Sequence, residues 1–246
     1  MHLTDPHLFA DAAGSFRGTV TLASFRAALA HYRKSDWQAD VVVVTGDLIQ
    51  DDSEGAYQHF RRLLAQLELP VYCVPGNHDV REMMRATLSD APFFYCDSLE
   101  TDHWLLAGLD SCAAGRAGGF VSESEFARLD ALVRNTSAQH VMIYLHHPPT
   151  AIGSAWLDNV GLDNGNDFLQ RISALGKVRI TIFGHVHQSY DAQHGDIRIV
   201  GTPSTCRQFK QGSDAFAVDD NPPAYRRICL FADGHSDCEL IWADHV

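Results

Sequence analysis

The chain has 246 residues, 46% of them hydrophobic, and a formal net charge of −12. That length suits one large α/β or sandwich domain, or at most two small ones. The charge speaks against general binding to a nucleic acid polymer or an anionic membrane, both of which are polyanions. No apolar stretch approaches the roughly 20 residues of a membrane span.

The N-terminus lacks a basic n-region followed by an apolar h-region, so no secretory signal is expected and a cytoplasmic location is. The six cysteines, Cys73, Cys96, Cys112, Cys206, Cys229 and Cys238, are scattered without a C-x-x-C pair. They predict reduced, mostly buried thiols, with a Cys229–Cys238 bridge across a hairpin as the weaker alternative.

In chain order, only four residues precede Asp5, short for a buried strand of about 5–6 residues. A chain that begins later than its relatives and a shortened or fraying first strand are expected. Leu22, Phe25, Leu29 and Tyr32 have the i, i+3, i+7 spacing of an amphipathic helix. Val41 to Val44 opens a strand over 41–45, and Tyr57, Phe60, Leu64 and Leu67 predict a second helix that Pro70 stops. Strands are expected over 71–74 and 103–109. Ser122 with Glu125 reads as a capping box opening a helix through Phe126, Leu129 and Val133. Strands follow over 140–145 and 178–183.

Residues 150–166, Gly- and Asn-rich with an isolated Trp156, read as an active-site loop. Three further strands over 197–200, 227–231 and 238–242 lack intervening helices. The early alternation implies parallel βαβ units and the later run antiparallel strands. Two packed sheets flanked by helices, in a single domain over 1–246, reconcile the halves.

Five polar segments follow or end these apolar runs: Asp5-Pro6-His7, Gly46-Asp47, Gly76-Asn77-His78-Asp79, His146-His147 and Gly184-His185-Val186-His187. Taken singly, Asp-x-His is common in loops, Gly-Asp is usually a turn, and a His pair before Pro148-Pro149 could simply cap a strand. Jointly they place carboxylate, imidazole and amide oxygens at five strand ends, rigid mounts from which distant segments converge. Asp5 and His7, like His185 and His187, are two apart, and in extended backbone such side chains share a side. Donors of this kind without thiolate favour ions such as Mn, Fe or Zn. Two ions about 3.5–4 Å apart hold a bridging hydroxide and clamp the oxygens of an in-line phosphoryl displacement. Asp47, with two oxygens, suits the bridge. His2, His31, His59, His103, His140, His194, His235 and His245 lack such a setting and read as surface or structural.

In this order the segments resemble the signature of the calcineurin-like metallophosphoesterase superfamily, over nearly the whole chain. Thr4-Asp5-Pro6-His7-Leu8-Phe9, Gly46-Asp47-Leu48-Ile49-Gln50-Asp51, Tyr57-Gln58-His59-Phe60 and Thr202-Pro203-Ser204-Thr205-Cys206-Arg207-Gln208-Phe209 resemble the bacterial class III 3',5'-cyclic AMP phosphodiesterases. The resemblance implies a four-layered α/β/β/α sandwich, a dinuclear Fe and/or Mn centre, and hydrolysis of cyclic AMP to AMP. It implies that Asp5, His7, Asp47 and His187 hold one metal, and that bridging Asp47 with Asn77, His146 and His185 holds the other. It takes His146 rather than His147 as the ligand, a choice that periodicity leaves open.

By the same resemblance His78 contacts the phosphate and protonates the leaving oxygen, and Asp79 orients His78 or a ligand. Together with the bridging Asp47, His7, Asn77 and His187 lie close to the nucleotide. Trp156 and residues 205–209 are the expected base contacts. On the same centre, 2',3'-cyclic nucleotides, glycerophosphodiesters or phosphoproteins are alternative substrates. A non-catalytic scaffold would have lost metal ligands or the acid histidine, and neither loss is seen.

Overall fold

The computed structural model describes residues 1–243, so His245 lies outside the described residues. The chain opens with β1 (His2–Leu3), a small hairpin of β2 (Ser15–Phe16) and β3 (Thr19–Val20), and helix α1 (Thr21–Arg33). There follow β4 (Val42–Thr45), α2 (Glu54–Ala65), β5 (Val71–Val74), α3 (Arg81–Thr87), β6 (Phe93–Tyr95), β7 (Ser98–Glu100) and β8 (Trp104–Gly108). Next come α4 (Glu123–Asn135), β9 (His140–Tyr144), α5 (Ala155–Asp158), α6 (Gly165–Ala174) and β10 (Val178–Phe183). The chain continues through β11 (Tyr190–His194), β12 (Ile197–Gly201), β13 (Gln208–Phe209), β14 (Val218–Asp219), β15 (Ala224–Leu230) and β16 (Ser236–Trp242).

Two six-stranded sheets result, ordered β16-β15-β1-β4-β5-β6 and β11-β12-β10-β9-β8-β7. Alternation along the strands explains the layers, because successive side chains leave opposite faces of a strand. Val42, Val44, Val71 and Cys73 pack with Phe25, Leu29, Phe60 and Leu64 of α1 and α2. Leu105, Ala107, Val141, Ile143 and Ile199 pack with Phe126, Leu129, Phe168 and Ile172 of α4 and α6. The intervening residues Val43, Tyr72, Val74, Leu106, Met142, Tyr144, Ile180 and Ile182 meet between the sheets. This is the expected four-layered α/β/β/α sandwich, with central strands apolar on both faces because both are covered.

Several expectations need correction. The shortened β1 does not fray: it pairs with β4 on one side and β15 on the other, and both of its residues are buried. His2 is structural, binding Thr45 of one sheet at 2.9 Å and Thr202 beyond the other at 2.7 Å. Residues 150–166 are no open loop, since α5 and the start of α6 lie within them; four-residue α5 is too short to show helical period. The late strands are not all antiparallel, because β12 pairs parallel to β10 across the β11 hairpin. Only half of the capping box forms. Ser122 Oγ accepts from Glu125 N at 3.2 Å, while the Glu125 carboxylate is taken by Asp110 N and Arg128. The Cys229–Cys238 bridge is excluded, because Cys238 lies opposite Ile228 and so points to the other face from Cys229; all six thiols are free.

Phe60 is fully buried between α2 and the first sheet and stacks parallel to Phe25 at 6.0 Å. Phe60→Ala is expected to cost about 3–5 kcal/mol, read as a lower denaturation midpoint at unchanged slope.

Candidate metal centre

All five polar segments lie just past C-terminal strand ends. Asp5 and His7 follow β1, Asp47 follows β4 and Asn77 and His78 follow β5; His146 follows β9, while His185 and His187 follow β10. The first three strands belong to one sheet and the last two to the other, so the centre straddles both. The chain does not reach it in extended form, as spacing by two would require. Asp5, His7, Asp47, His185 and His187 all have positive φ, between 45° and 68°. Such backbone is enriched in Asp and His but costs of order 1–3 kcal/mol per residue. It turns each side chain sharply off its strand. Gly76 permits a close approach: a Cβ there would collide with the Asp47 carboxylate and backbone.

The side chains form two adjoining groups. In the first, His7 Nε2 lies 3.1 Å from His187 Nε2 and 3.7 Å from Asp47 Oδ2, and His187 Nε2 lies 3.4 Å from Asp5 Oδ1. In the second, His146 Nε2 lies 3.4 Å from Asp47 Oδ1, 3.2 Å from Asn77 Oδ1 and 3.1 Å from His185 Nδ1. Asp47 presents one oxygen to each group. Every expected ligand except the partly exposed Asn77 is buried.

The remote ring nitrogens show which tautomers are present. His187 Nδ1 donates to Arg207 O at 2.5 Å, His146 Nδ1 to Thr45 O at 2.7 Å, and His7 Nδ1 to Gln50 Oε1 at 2.8 Å. With a single proton on each ring, the Nε2 lone pairs of His7 and His187 face each other at 3.1 Å, while His146 Nε2 lies on the Asp47 carboxylate. Two lone pairs at that distance repel unless a cation takes both. His185 Nε2 is buried without a hydrogen-bond partner among the described residues. These features fit the residues to divalent cations, with outer partners orienting the imidazoles of His7, His146 and His187.

The ionisation states agree. Burial pulls the His7 and His185 imidazoles down to about 3, so both stay neutral. Burial works against the Asp5 and Asp47 carboxylates, but the neighbouring His187 and His146 hold both below their usual value. Burial likewise opposes the His146 imidazolium, yet contact with Asp47 lifts that ring to about 9. A proton shared between His146 and Asp47 sits where a cation would compete for both. Ligands already deprotonated, or held by one displaceable proton, are in the form that binds metal.

The tertiary contacts favour His146 over His147. Both nitrogens of His147 are engaged, Nδ1 with Ser111 Oγ at 2.9 Å and Nε2 with Ala117 O at 3.1 Å, so its ring packs beside His185 without a free lone pair. The Asp79 carboxylate makes no hydrogen bond to the His78 ring. It accepts from Gly76 N at 2.8 Å, Leu48 N at 3.1 Å and Tyr57 OH at 3.0 Å, tying the Asp47 and Asn77 turns together. Burial and the nearby Asp47 raise its carboxyl to about 7.

What orients His78 is Gln50, a residue that reasoning from the motifs passed over although it sits three positions beyond Asp47. Its amide accepts from His7 and donates to His78 Nδ1 at 3.2 Å, which puts the His78 proton on Nε2. Of residues 205–209, Thr205 and Cys206 are buried, and Thr205 braces Thr4 through its N–H at 3.0 Å. Phe209 stacks on His187 at 4.2 Å, and the Arg207 carbonyl accepts from its Nδ1. Gln50→Leu is expected to weaken metal affinity by about 10–100-fold, measured by metal titration.

Residues 1–189 match the Calcineurin-like phosphoesterase family. The chain is 36% identical over 235 residues to a 3',5'-cyclic adenosine monophosphate phosphodiesterase CpdA of Vibrio vulnificus, covering 95% of this chain and 86% of the relative. It is 34% identical to the protein of that name from Escherichia coli, covering 98% of this chain and 88% of the relative. A dimetal phosphatase from Danio rerio has a similar fold, with a TM-score of 0.67 at 16% identity, covering 99% of this chain and 98% of the other. With its matched residues spanning β1 to the GHxH segment and its metal-ligand geometry in place, the chain belongs to the calcineurin-like phosphoesterase family, a family of metal-dependent hydrolases.

Proposed function

We propose that this enzyme hydrolyses 3',5'-cyclic AMP to AMP at two divalent metal ions, iron and/or manganese, within one domain. The observation that carries the reading is the pair of ligand groups joined through Asp47. The substrate rests on relatives at 31–36% identity named for 3',5'-cyclic AMP. No helix among the described residues is long and apolar enough to cross a membrane. The free thiols support a reducing compartment, and we place the enzyme in the cytoplasm.

Asp5, His7, Asp47 and His187 would hold one ion; Asp47, Asn77, His146 and His185 would hold the other. When bound, the ions supply positive charge to the phosphate oxygens and lower the pKa of the attacking water. The chain's own part is to place the phosphate and manage the leaving group. To act as the acid, His78, partly exposed at the rim, would enter the step as imidazolium, released at Nδ1 from the Gln50 amide and with its Nε2–H toward the phosphate. As water adds to phosphorus and the P–O3' bond breaks, the Nε2 proton passes to the ribose oxygen, and the proton lost by water restores the imidazolium. One water is consumed and the product is 5'-AMP.

Asp47→Ala removes a ligand from both groups and is expected to abolish turnover together with metal content. His78→Ala is expected to keep both metals and lower turnover by about 10²–10⁴-fold, the scale of a general acid; loss of metal in that variant would make His78 a ligand instead. The substrate itself is tested by comparing turnover of 3',5'-cyclic AMP, 2',3'-cyclic AMP and bis(p-nitrophenyl) phosphate by the Mn-loaded enzyme. Neglect of the first with cleavage of the last would discard cyclic AMP and keep the chemistry.

A further inference from the structure

The two small ribbons outside the main sheets frame one side of the metal centre. Phe16, in the β2–β3 hairpin, lies flat on His7 with ring centroids 4.4 Å apart and planes within 7°. Phe209, in β13, lies flat on His187 at 4.2 Å and 9°. Each phenyl ring thus shields one imidazole ligand from water. Beyond Phe209, in the connection between β13 and β14, stands Phe216, edge-on to Phe209 at 5.4 Å and to Trp156 at 5.3 Å. Phe216 is nonetheless 44% exposed.

Arg17 spans the gap between the ribbons. Its guanidinium lies 4.5 Å from the Phe216 centroid and 5.5 Å from that of Phe16. Arg17 and Gly18 are the two central residues of the hairpin, with φ of 51° and 86°. Two left-handed residues in that position are the mark of a type I′ turn, which holds the arginine on a stiff, short mount. A planar cation already stacked on an exposed ring beside a phosphate centre marks a surface on which another planar group can lie.

We propose that Phe216 and Arg17 form the nucleobase subsite: the base stacks on the Phe216 ring and against the Arg17 guanidinium while the phosphate occupies the metal centre. This rests on the nucleotide reading given above. Phe216 stands two ring contacts from His187, through Phe209. Trp156, expected to touch the base, packs behind the two phenyl rings. Its indole nitrogen is buried, and its ring backs Phe209 and Phe216, making it a positioning residue and a built-in fluorescent reporter. Stacking reads the π face of any base, so the subsite favours nucleotides over simple phosphodiesters without selecting strongly among bases.

The test is equilibrium binding to the Mn-loaded protein, followed by calorimetry and by quenching of indole fluorescence, with AMP and ribose 5-phosphate as paired ligands. AMP is expected to bind about tenfold or more tighter than ribose 5-phosphate, the scale of one stacking contact. Phe216→Ala or Arg17→Ala is expected to remove most of that preference while leaving ribose 5-phosphate affinity unchanged, and Phe216→Trp to retain it. Equal binding of the two ligands by the unaltered protein would overturn the subsite. So would variants that weaken both ligands alike, since that pattern reports damage to the centre. A protein that prefers AMP, loses that preference on Phe216→Ala and still leaves 3',5'-cyclic AMP intact would keep the subsite and discard the proposed substrate.

Discussion

Burying several imidazole lone pairs and two carboxylates against one another is unfavourable in itself, and most of the architecture around the centre answers that problem. Desolvation keeps His7 and His185 neutral, and facing lone pairs at 3.1 Å repel. The arrangement persists because the rings of His7, His146 and His187 are each pinned from behind by a hydrogen bond to a carbonyl or to Gln50. Those bonds turn the inner nitrogens of His7 and His187 toward each other, where a positive charge would satisfy both.

The backbone strain has the same origin. Five of the site residues occupy left-handed conformations, a cost the two-sheet sandwich sustains because its three apolar layers anchor the strands on either side. The turns are then braced to each other. Asp79 holds the Asp47 and Asn77 turns in one unit, and Ser204 and Thr205 fasten the Asp5 turn to the segment that follows β12. The segment after Gly201 that resembles the cyclic AMP phosphodiesterases also braces these turns, and it contacts His187 through Phe209 and the Arg207 carbonyl.

The net charge of −12 suits this account once local and global fields are separated. Cations in the centre reverse the sign where a phosphate arrives. Arg17 adds positive charge at the rim, on a hairpin that no secondary-structure pattern in the sequence announced. A net negative charge disfavours polyanions at long range, whereas a small anion responds to the local field at the centre.

The strand–helix alternation, the apolar runs and the five polar segments were legible in the sequence because each is a local signal: a period, a cap or a motif at a strand end. They were enough to name the fold class and to bring Asp5, His7, Asp47, Asn77, His78, His146, His185 and His187 forward as one set. What the sequence could not decide depends on contacts between residues far apart in the chain. The choice of His146 over His147 turns on Ser111 and Ala117, which occupy the second ring. The partner of His78 proved to be Gln50 and not its neighbour Asp79, and the convergence of Asp5 with His7 came from strained turns in place of strand alternation. The aromatic rim joins Phe16 to Phe216 through Arg17 across 200 positions of chain. Sequence periodicity reports which face a side chain takes on its own element; which side chains then meet, and which nitrogen is left free, is settled when the two sheets pack.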